Sequence, residues 1–239
     1  MTAAARLETA AAADPRLIVP LDLPDLDQAR AMVEALGQAV SFYKVGLELF
    51  ASGGMTLARD LKAQGKQVFL DWKLHDIGTT VQRSAAVLAD SGCDFLTVHG
   101  EPQVMAAAVR GRGRSDLKIL AVTVLTSLSD EDLLEMGFNE SARSLVERRI
   151  HHAVAAGCDG VIASPHEAQL ARAIGGPDFL VVTPGVRPDW AARNDQARAA
   201  TPAQALGAGA SHIVCGRPIT GANDPQAAAL RIVAEMAGA

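Results

Sequence analysis

The sequence predicts an α/β fold, a single-domain (β/α)8 barrel, on three observations. Eight short apolar segments recur along the chain, helical patterns separate them, and one phrase repeatedly joins helix to strand. That phrase is a helix ending in Ala-x-x-Gly or a close relative, with an apolar run a few residues later. Leu61-Lys62-Ala63-Gln64-Gly65 precedes Gln67–Leu70, Leu88–Gly92 precedes Asp94–Val98, Ala153–Gly157 precedes Gly160–Ala163, and Leu206–Ala210 precedes His212–Cys215. A glycine just past a helix, then a short apolar strand, is the sequence form of an αβ turn feeding a parallel sheet buried on both faces.

Taken in order, the first strand is Leu17–Leu21, followed by a helical pattern at Leu26–Leu36. The second strand is Phe42–Val45. The third is Val68–Leu70, which runs into the charged stretch Asp71-Trp72-Lys73-Leu74-His75-Asp76 before a helix at Val81–Ala89. Phe95–Val98 and Ile119–Val124 are the fourth and fifth strands, and the helix Ala142–Ala156 leads to the sixth at Gly160–Ala163. Phe179–Thr183 and His212–Cys215 complete the set, with a closing helix at Pro225–Met236. No Gly-x-Gly-x-x-Gly follows the first strand, which removes the main signal of an open dinucleotide-binding sheet. No linker-like change of composition divides the chain, so residues 15–239 read as one TIM-type barrel. The Ala-rich stretch 1–14 reads as a flexible extension without the continuous apolar core of a signal peptide.

Bulk properties exclude several functions. A net charge of −5 argues against a general nucleic-acid or membrane-surface binder, which needs a basic face. No apolar run approaches the ~20 residues of a membrane span. Cys93, Cys158 and Cys215 are odd in number, have no metal spacing and sit at or beside strands, so they read as small core residues in a reducing, cytoplasmic setting. With half the residues hydrophobic and only 4% aromatic, the core is expected to be aliphatic.

In a (β/α)8 barrel the site is built from loops at the C-terminal ends of the strands. Those positions hold Asp22 after the first strand, Lys44 at the second, Asp71, Lys73 and Asp76 after the third, and Thr126-Ser127 after the fifth. Thr183-Pro184-Gly185-Val186-Arg187-Pro188 follows the seventh strand and Gly216-Arg217-Pro218 the eighth. Phosphate in this architecture commonly lies between the last two loops, where glycine admits an anion close to the backbone and arginine offers a planar fork. The plainer alternative is a pair of turns with solvated arginines.

Strand alternation places Asp71 and Lys73 on one face and Trp72 on the other. Buried charges are costly unless they pair or do chemistry, so the stretch is either an ion-pair network closing a strand end or a reaction centre. Lys44, Asp71, Lys73 and Asp76 are expected to alternate in sign around one small volume. An ammonium held between carboxylates can stabilise an anion developing in a transition state and then protonate it. That suits loss of CO₂ to give a carbanion, with no cofactor as electron sink.

Asp71-x-Lys73-x-x-Asp76 on the third strand, with Lys44-x-Gly46 on the second, resembles the orotidine 5′-monophosphate decarboxylase family. The likeness continues through Leu125-Thr126-Ser127, Pro184-Gly185-Val186-Arg187-Pro188, Asp195-Gln196-x-Arg198 and Gly216-Arg217-Pro218-Ile219-Thr220, in order, from Leu17 to Pro225. The resemblance implies cofactor-free and metal-free decarboxylation of orotidine 5′-monophosphate to UMP, in pyrimidine biosynthesis. It implies that Lys73 protonates C6 and that Asp71 lies beside the substrate carboxylate. Asp76 and Thr80 would reach the partner's site in a homodimer. Asp22 and Lys44 would contact ribose hydroxyls, and Thr126 and Ser127 the pyrimidine. Pro184 falls within the matched substrate-binding loop, and Arg187, Gln196, Gly216 and Arg217 would make phosphate and lid contacts, the segment Pro188–Thr201 being a mobile lid. One departure is local: the family pattern has a Gly-Gly turn after the Val-His of the fourth strand, whereas this chain has Gly100-Glu101-Pro102-Gln103.

Two other functions share these features. Magnesium-dependent 3-keto-gulonate-phosphate decarboxylase and hexulose-phosphate synthase resemble the chain at Asp-x-Lys-x-x-Asp, but carry an acidic residue where Lys44 stands. A non-catalytic nucleotide-binding barrel would need the phosphate loops alone, not the charge cluster. Among the remaining candidates, His75 reads as a supporting or interface group, His99 and His212 as core or rim groups, and His151-His152 as surface. Asp130-Glu131-Asp132 reads as an acidic helix start that complements the helix dipole.

Overall fold

The computed structural model describes residues 13–191 and 200–238. Eight parallel strands close into a barrel in sequence order: β1 (Leu17–Pro20), β2 (Phe42–Gly46), β3 (Gln67–Leu74), β4 (Phe95–His99), β5 (Lys118–Val122), β6 (Gly160–Ile162), β7 (Leu180–Thr183) and β8 (His212–Val214). β1 pairs with both β2 and β8, which leaves no open edge. The predicted (β/α)8 barrel is therefore the observed one. Of the predicted extension 1–14, only Ala13 and Asp14 lie within the described residues, where Asp14 accepts from the backbone of Arg16 and pairs with its guanidinium.

The longer helices that separate the strands are α1 (Leu26–Leu36), α3 (Gly54–Ala63), α4 (Gly78–Ala89), α5 (Pro102–Arg112), α7 (Ala142–Ala156), α8 (Ala168–Gly175) and α11 (Pro225–Met236). Short helices fill the loops: α2 (Leu47–Phe50), α6 (Asp130–Glu135), α9 (Pro202–Gly207) and α10 (Arg217–Thr220). Asp25, Ser141 and Asp224 cap α1, α7 and α11 through side-chain oxygens that accept from backbone N–H groups. The acidic run at Asp130 starts α6 inside a Ser129/Asp132 capping box, as expected of a helix start. Gly65, Gly92, Gly157 and Gly209, the glycines of the repeating phrase, all take positive φ, the conformation that ends each helix and turns the chain towards the next strand.

Two cores result. The outer one lies between barrel and helices and is built mainly from Val, Leu, Ile and Ala. The inner one fills the lower barrel with Ile18, Phe42, Phe69, Phe95, Leu120 and Val182. Half of the six phenylalanines thus sit inside the barrel, with Phe42 and Phe95 edge-on at 4.9 Å. The expected aliphatic core describes most of the outer layer, which also takes in Tyr43, Trp72 and Phe179; the wide lumen needs flat, bulky rings to close it. This plug closes the lumen at one end, so a cavity inside the barrel opens at the other, where the strands finish.

Candidate active site

Alternation along β2 sends Phe42, Lys44 and Gly46 into the lumen, while Tyr43 and Val45 pack outside. β3 does the same with Phe69 and Asp71 inside and Val68, Leu70 and Trp72 outside. Trp72 is buried in the outer core with Phe50 edge-on at 4.8 Å. Gly46 pairs with Asp71 across the ladder, and its missing side chain leaves room for the Asp22 carboxylate and the Lys44 ammonium. A Cβ there would lie 2.6 Å from Asp22 Oδ1 and 2.9 Å from Lys44 Nζ.

Four charged groups meet in that space. Lys44 Nζ donates to Asp22 Oδ1 at 2.9 Å and lies 3.2 Å from Asp71 Oδ2. Lys73 Nζ donates to Asp71 Oδ1 at 2.8 Å. The hydroxyl of Thr97, fully buried on β4, lies 3.0 Å from the same Oδ1. Asp71 is therefore clasped by two ammonium groups and a hydroxyl. Burial, the strongest single influence, pushes its carboxyl up, but Lys44 and Lys73 together outweigh it and hold the carboxyl below the ordinary range. For Lys44 burial works against the charge, and Asp71 and Asp22 reverse it, so its net shift is upward.

The mouth of the barrel carries a cavity of about 200 Å³ beside this cluster. Lys44, Asp71 and Lys73 form one wall, and Val122, Val124, Ile162, Ala163 and Val214 form an apolar one, with Thr126 and Pro184 at the rim. A second cavity of about 300 Å³ continues from it past Asp22, along Gly185, Arg187, Gly216 and Arg217. Both share Lys44, Asp71, Pro184 and Val214, so they form one groove. Gly185 has φ +77°, a conformation open to glycine, and a Cβ on Gly216 would lie 2.9 Å from Pro20 Cγ. The backbone at both loops therefore comes close to the groove. The buried Arg187 is held at the base of its loop, where its N–H donates to Ala200 O at 2.9 Å.

Most predicted site residues converge here, but not all. Asp76 and Thr80 are exposed and outside the ion-pair cluster; the Asp76 carboxylate accepts from Ile77 N–H. The expected single cluster of Lys44, Asp71, Lys73 and Asp76 thus forms within the chain from Asp22, Lys44, Asp71 and Lys73. Chain direction explains it: β3 ends at Leu74, and Asp76 lies beyond, in the turn to α4. Thr126 borders the groove and Ser127 follows it on the exposed turn. Gln196, with residues 192–199 of the predicted lid, lies outside the described residues.

Thr97 joins the cluster although its sequence position alone does not mark it as a site residue. Alternation along β4 offers the signal, since Phe95 is inside, Leu96 and Val98 are outside, and Thr97 is then the polar residue facing the lumen. The unusual loop after β4 also has a structural explanation. Glu101 pairs with Arg149 at 3.0 Å and approaches His75 at 3.6 Å, while Gly100 lies where a Cβ would come within 2.6 Å of Val122 O. Among the described residues, no group of three or more His, Cys, Asp or Glu is placed to hold a metal ion, and no helix is long and apolar enough to cross a membrane.

Comparison with known proteins adds the family context. The model of the orotidine 5′-phosphate decarboxylase / HUMPS family matches residues 15–232. The chain is similar to the orotidine 5′-phosphate decarboxylase of Caulobacter sp. (strain K31), 74% identical over 226 residues, covering 95% of this chain and 99% of the relative. It is 56% identical over 224 residues to the protein of that name from Rhodopseudomonas palustris (strain ATCC BAA-98 / CGA009), covering 94% of each. The crystal structure of orotidine 5′-phosphate decarboxylase from Lactobacillus acidophilus superposes with a TM-score of 0.82 at 41% identity, covering 93% of this chain and 99% of that one.

Proposed function

Since the chain belongs to the orotidine 5′-phosphate decarboxylase / HUMPS family, we propose that its groove converts orotidine 5′-monophosphate to UMP and CO₂. The chain is a carbon–carbon lyase of pyrimidine biosynthesis, in keeping with relatives of that name at 74% and 73% identity. One observation carries the mechanism: the Lys44–Asp71–Lys73 cluster faces an apolar cavity whose far end carries Arg187 and Arg217.

The nucleotide runs the length of the groove. Its phosphate lies against Gly185, Arg187, Gly216 and Arg217, and its ribose hydroxyls lie against Asp22 and Lys44. The pyrimidine enters the apolar lobe, with Thr126, Ser127 and Pro184 at its edge. The C6 carboxylate then lies beside Asp71, whose negative charge opposes it until CO₂ departs. Breaking the C6–CO₂ bond leaves its electron pair on C6. The Lys73 ammonium faces that carbanion, stabilises it electrostatically and transfers a proton to it. The lysine regains its proton from solvent, so no redox partner takes part.

The exposed positions of Asp76 and Thr80 fit a role in a second copy of the chain. Exposed apolar side chains also occur nearby in sequence and on α2: Ile77 follows Asp76, and Leu47 and Phe50 are exposed on α2, with the Phe50 ring against Trp72. In the homodimer Asp76 and Thr80 enter the partner's groove. The three cysteines are buried and free, which suits a reducing compartment such as the cytoplasm.

The test is decay of the orotidine 5′-monophosphate absorbance band on mixing with protein in EDTA. Decay without added metal supports this reading. A strict Mg²⁺ requirement would transfer the site to the enediolate chemistry of the sugar-phosphate members, and no decay under either condition would leave a nucleotide-binding barrel.

A further inference from the structure

We infer that Thr97 is a positioning residue: its hydroxyl bridges the backbone of Lys73 to the carboxylate of Asp71 and so fixes where the Lys73 ammonium points. The inference rests on the reading of Lys73 as the proton donor. The sheet is irregular beside these residues. β3 and β4 pair at Leu70 with Leu96 and again at Leu74 with Val98. Between those pairs β3 carries Asp71, Trp72 and Lys73, whereas β4 carries Thr97 alone. The extra residues bulge out of the ladder, a device that re-aims side chains and leaves backbone groups without their regular partners.

Lys73 bears the distortion. Its φ of +48° is the one positive value on a non-glycine residue among those described. A lysine is held in that region only when its surroundings over-determine it. Thr97 provides the determination. Its Oγ1 accepts from the Lys73 N–H at 3.0 Å, in place of the ladder carbonyl that the bulge has moved away. A hydroxyl has one hydrogen to give, and the nearer acceptor is Asp71 Oδ1 at 3.0 Å, with Leu70 O at 3.5 Å. The same Oδ1 accepts from Lys73 Nζ at 2.8 Å.

The contacts form a closed ring, from the Lys73 backbone through Thr97 to Asp71 and back to the Lys73 ammonium. Both ends of one lysine are thereby tied to one buried hydroxyl. Thr97 is fully buried beneath the cavity, so it acts on the substrate only through Lys73 and Asp71. Its loss should therefore disturb the chemical step more than nucleotide binding, because a small misplacement of a catalytic group costs rate steeply.

The experiment compares Thr97→Val, Thr97→Ala and Thr97→Ser with wild type and with Lys73→Ala. It measures kcat and KM for orotidine 5′-monophosphate and the dissociation constant of UMP, which also reports folding. Thr97→Val keeps shape and removes the hydroxyl; Thr97→Ala leaves space for water at the Lys73 N–H and serves if the valine variant does not fold. For either, kcat should fall about 10–100-fold with KM and UMP affinity within about threefold, and Thr97→Ser should restore kcat to within about threefold of wild type. Unchanged kcat in the folded valine or alanine variant, with Lys73→Ala inactive, would overturn the role of Thr97 and leave that of Lys73 standing. Equal loss in the serine and alanine variants would also overturn it, since the methyl and not the hydroxyl would then matter. An active Lys73→Ala enzyme would overturn both.

Discussion

Asp71 Oδ1 lies 2.8 Å from Lys73 Nζ, although the two residues are two positions apart on one strand. Regular pleating spaces such positions by roughly 6.6 Å along the strand. The bulge at the end of β3 and the length of the lysine stem close that gap and join the pair to Lys44, 3.2 Å from the other carboxylate oxygen. One carboxylate thus holds two ammonium groups at the mouth of the barrel.

Removing that carboxylate's charge should cost stability as well as rate. Asp71→Asn leaves two lysines facing each other in a nearly buried space, and breaking a buried pair costs on the order of 3 kcal/mol. For a chain of this size that lowers Tm by roughly 6–12 °C. The pH dependence follows from the shifts. The folded Asp71 carboxyl is depressed, so its stabilisation is present above its unfolded value near ~3.9 and is lost as pH falls through the lower folded value. Lys44 is raised, so its share is complete below ~10.4 and is lost as pH rises through the higher folded value. Thermal melts should show the gap between wild type and Asp71→Asn constant from about pH 5 to 9 and narrowing below about pH 4. A gap that widened in acid would contradict the arrangement.

Gly46 tests the site without attacking the fold. The Cβ of Gly46→Ala would meet Asp22 Oδ1 at 2.6 Å and Lys44 Nζ at 2.9 Å, both ends of flexible side chains. They can move aside, so Tm should change by only a few degrees, about what 1 kcal/mol produces. If Asp22 and Lys44 hold the ribose as proposed, their displacement should raise KM at least about tenfold, equivalent to one lost charge-assisted hydrogen bond. Steady-state kinetics beside a thermal melt decide it: normal KM in the variant would remove Asp22 and Lys44 from the ribose contact.

The exposed carboxylate of Asp76 permits a complementation test. If Asp76 serves the partner's site, a dimer of one Lys73→Ala chain and one Asp76→Ala chain holds one complete site. Mixing and re-equilibrating the two inactive variants should then recover about a quarter of wild-type activity, half of the dimers being mixed with one good site each. A mixture as inactive as its parents would show that Asp76 works within its own chain, or not at all.

At the closed end of the barrel, His212 gives an acid-sensitive element remote from the chemistry. Its ring lies against Phe42 and Phe95 at 5.8 and 5.1 Å, and burial lowers its pKa to about 4. Between about pH 6.5 and 4 the unfolded chain binds the proton and the folded one does not, so stability falls as pH falls through that window. The full effect is on the order of 3 kcal/mol. Denaturant titrations of His212→Phe should lose that part of the acid slope; a variant as acid-sensitive as wild type would assign the slope to other groups.

Much of this was legible in the sequence because the barrel repeats one simple rule. The Gly65, Gly92, Gly157 and Gly209 turns mark four of the helix-to-strand joints, and the eight strands fall within about two residues of their predicted bounds except β3. β3 runs on to Leu74 because its charged end still pairs with β4 across a bulge, which alternation alone does not foresee. The charged cluster was legible at Lys44, Asp71 and Lys73, where charge interrupts apolar strands that the barrel buries. Thr97 was not, since a threonine inside a strand has the propensity of any β-branched residue and reveals itself only by its partners. The placement of Asp76 was half legible: strand register carries a residue to the end of β3, and beyond Leu74 only tertiary structure decides which way it faces.

The most direct test of the central claim is Lys73→Ala, assayed for substrate decay in EDTA and for UMP binding in the same preparation. In this variant kcat should fall at least about 10³-fold, the scale of losing a positioned proton donor, while UMP binds within about tenfold of wild type. A variant that binds UMP and still decarboxylates at near wild-type rate would contradict that claim.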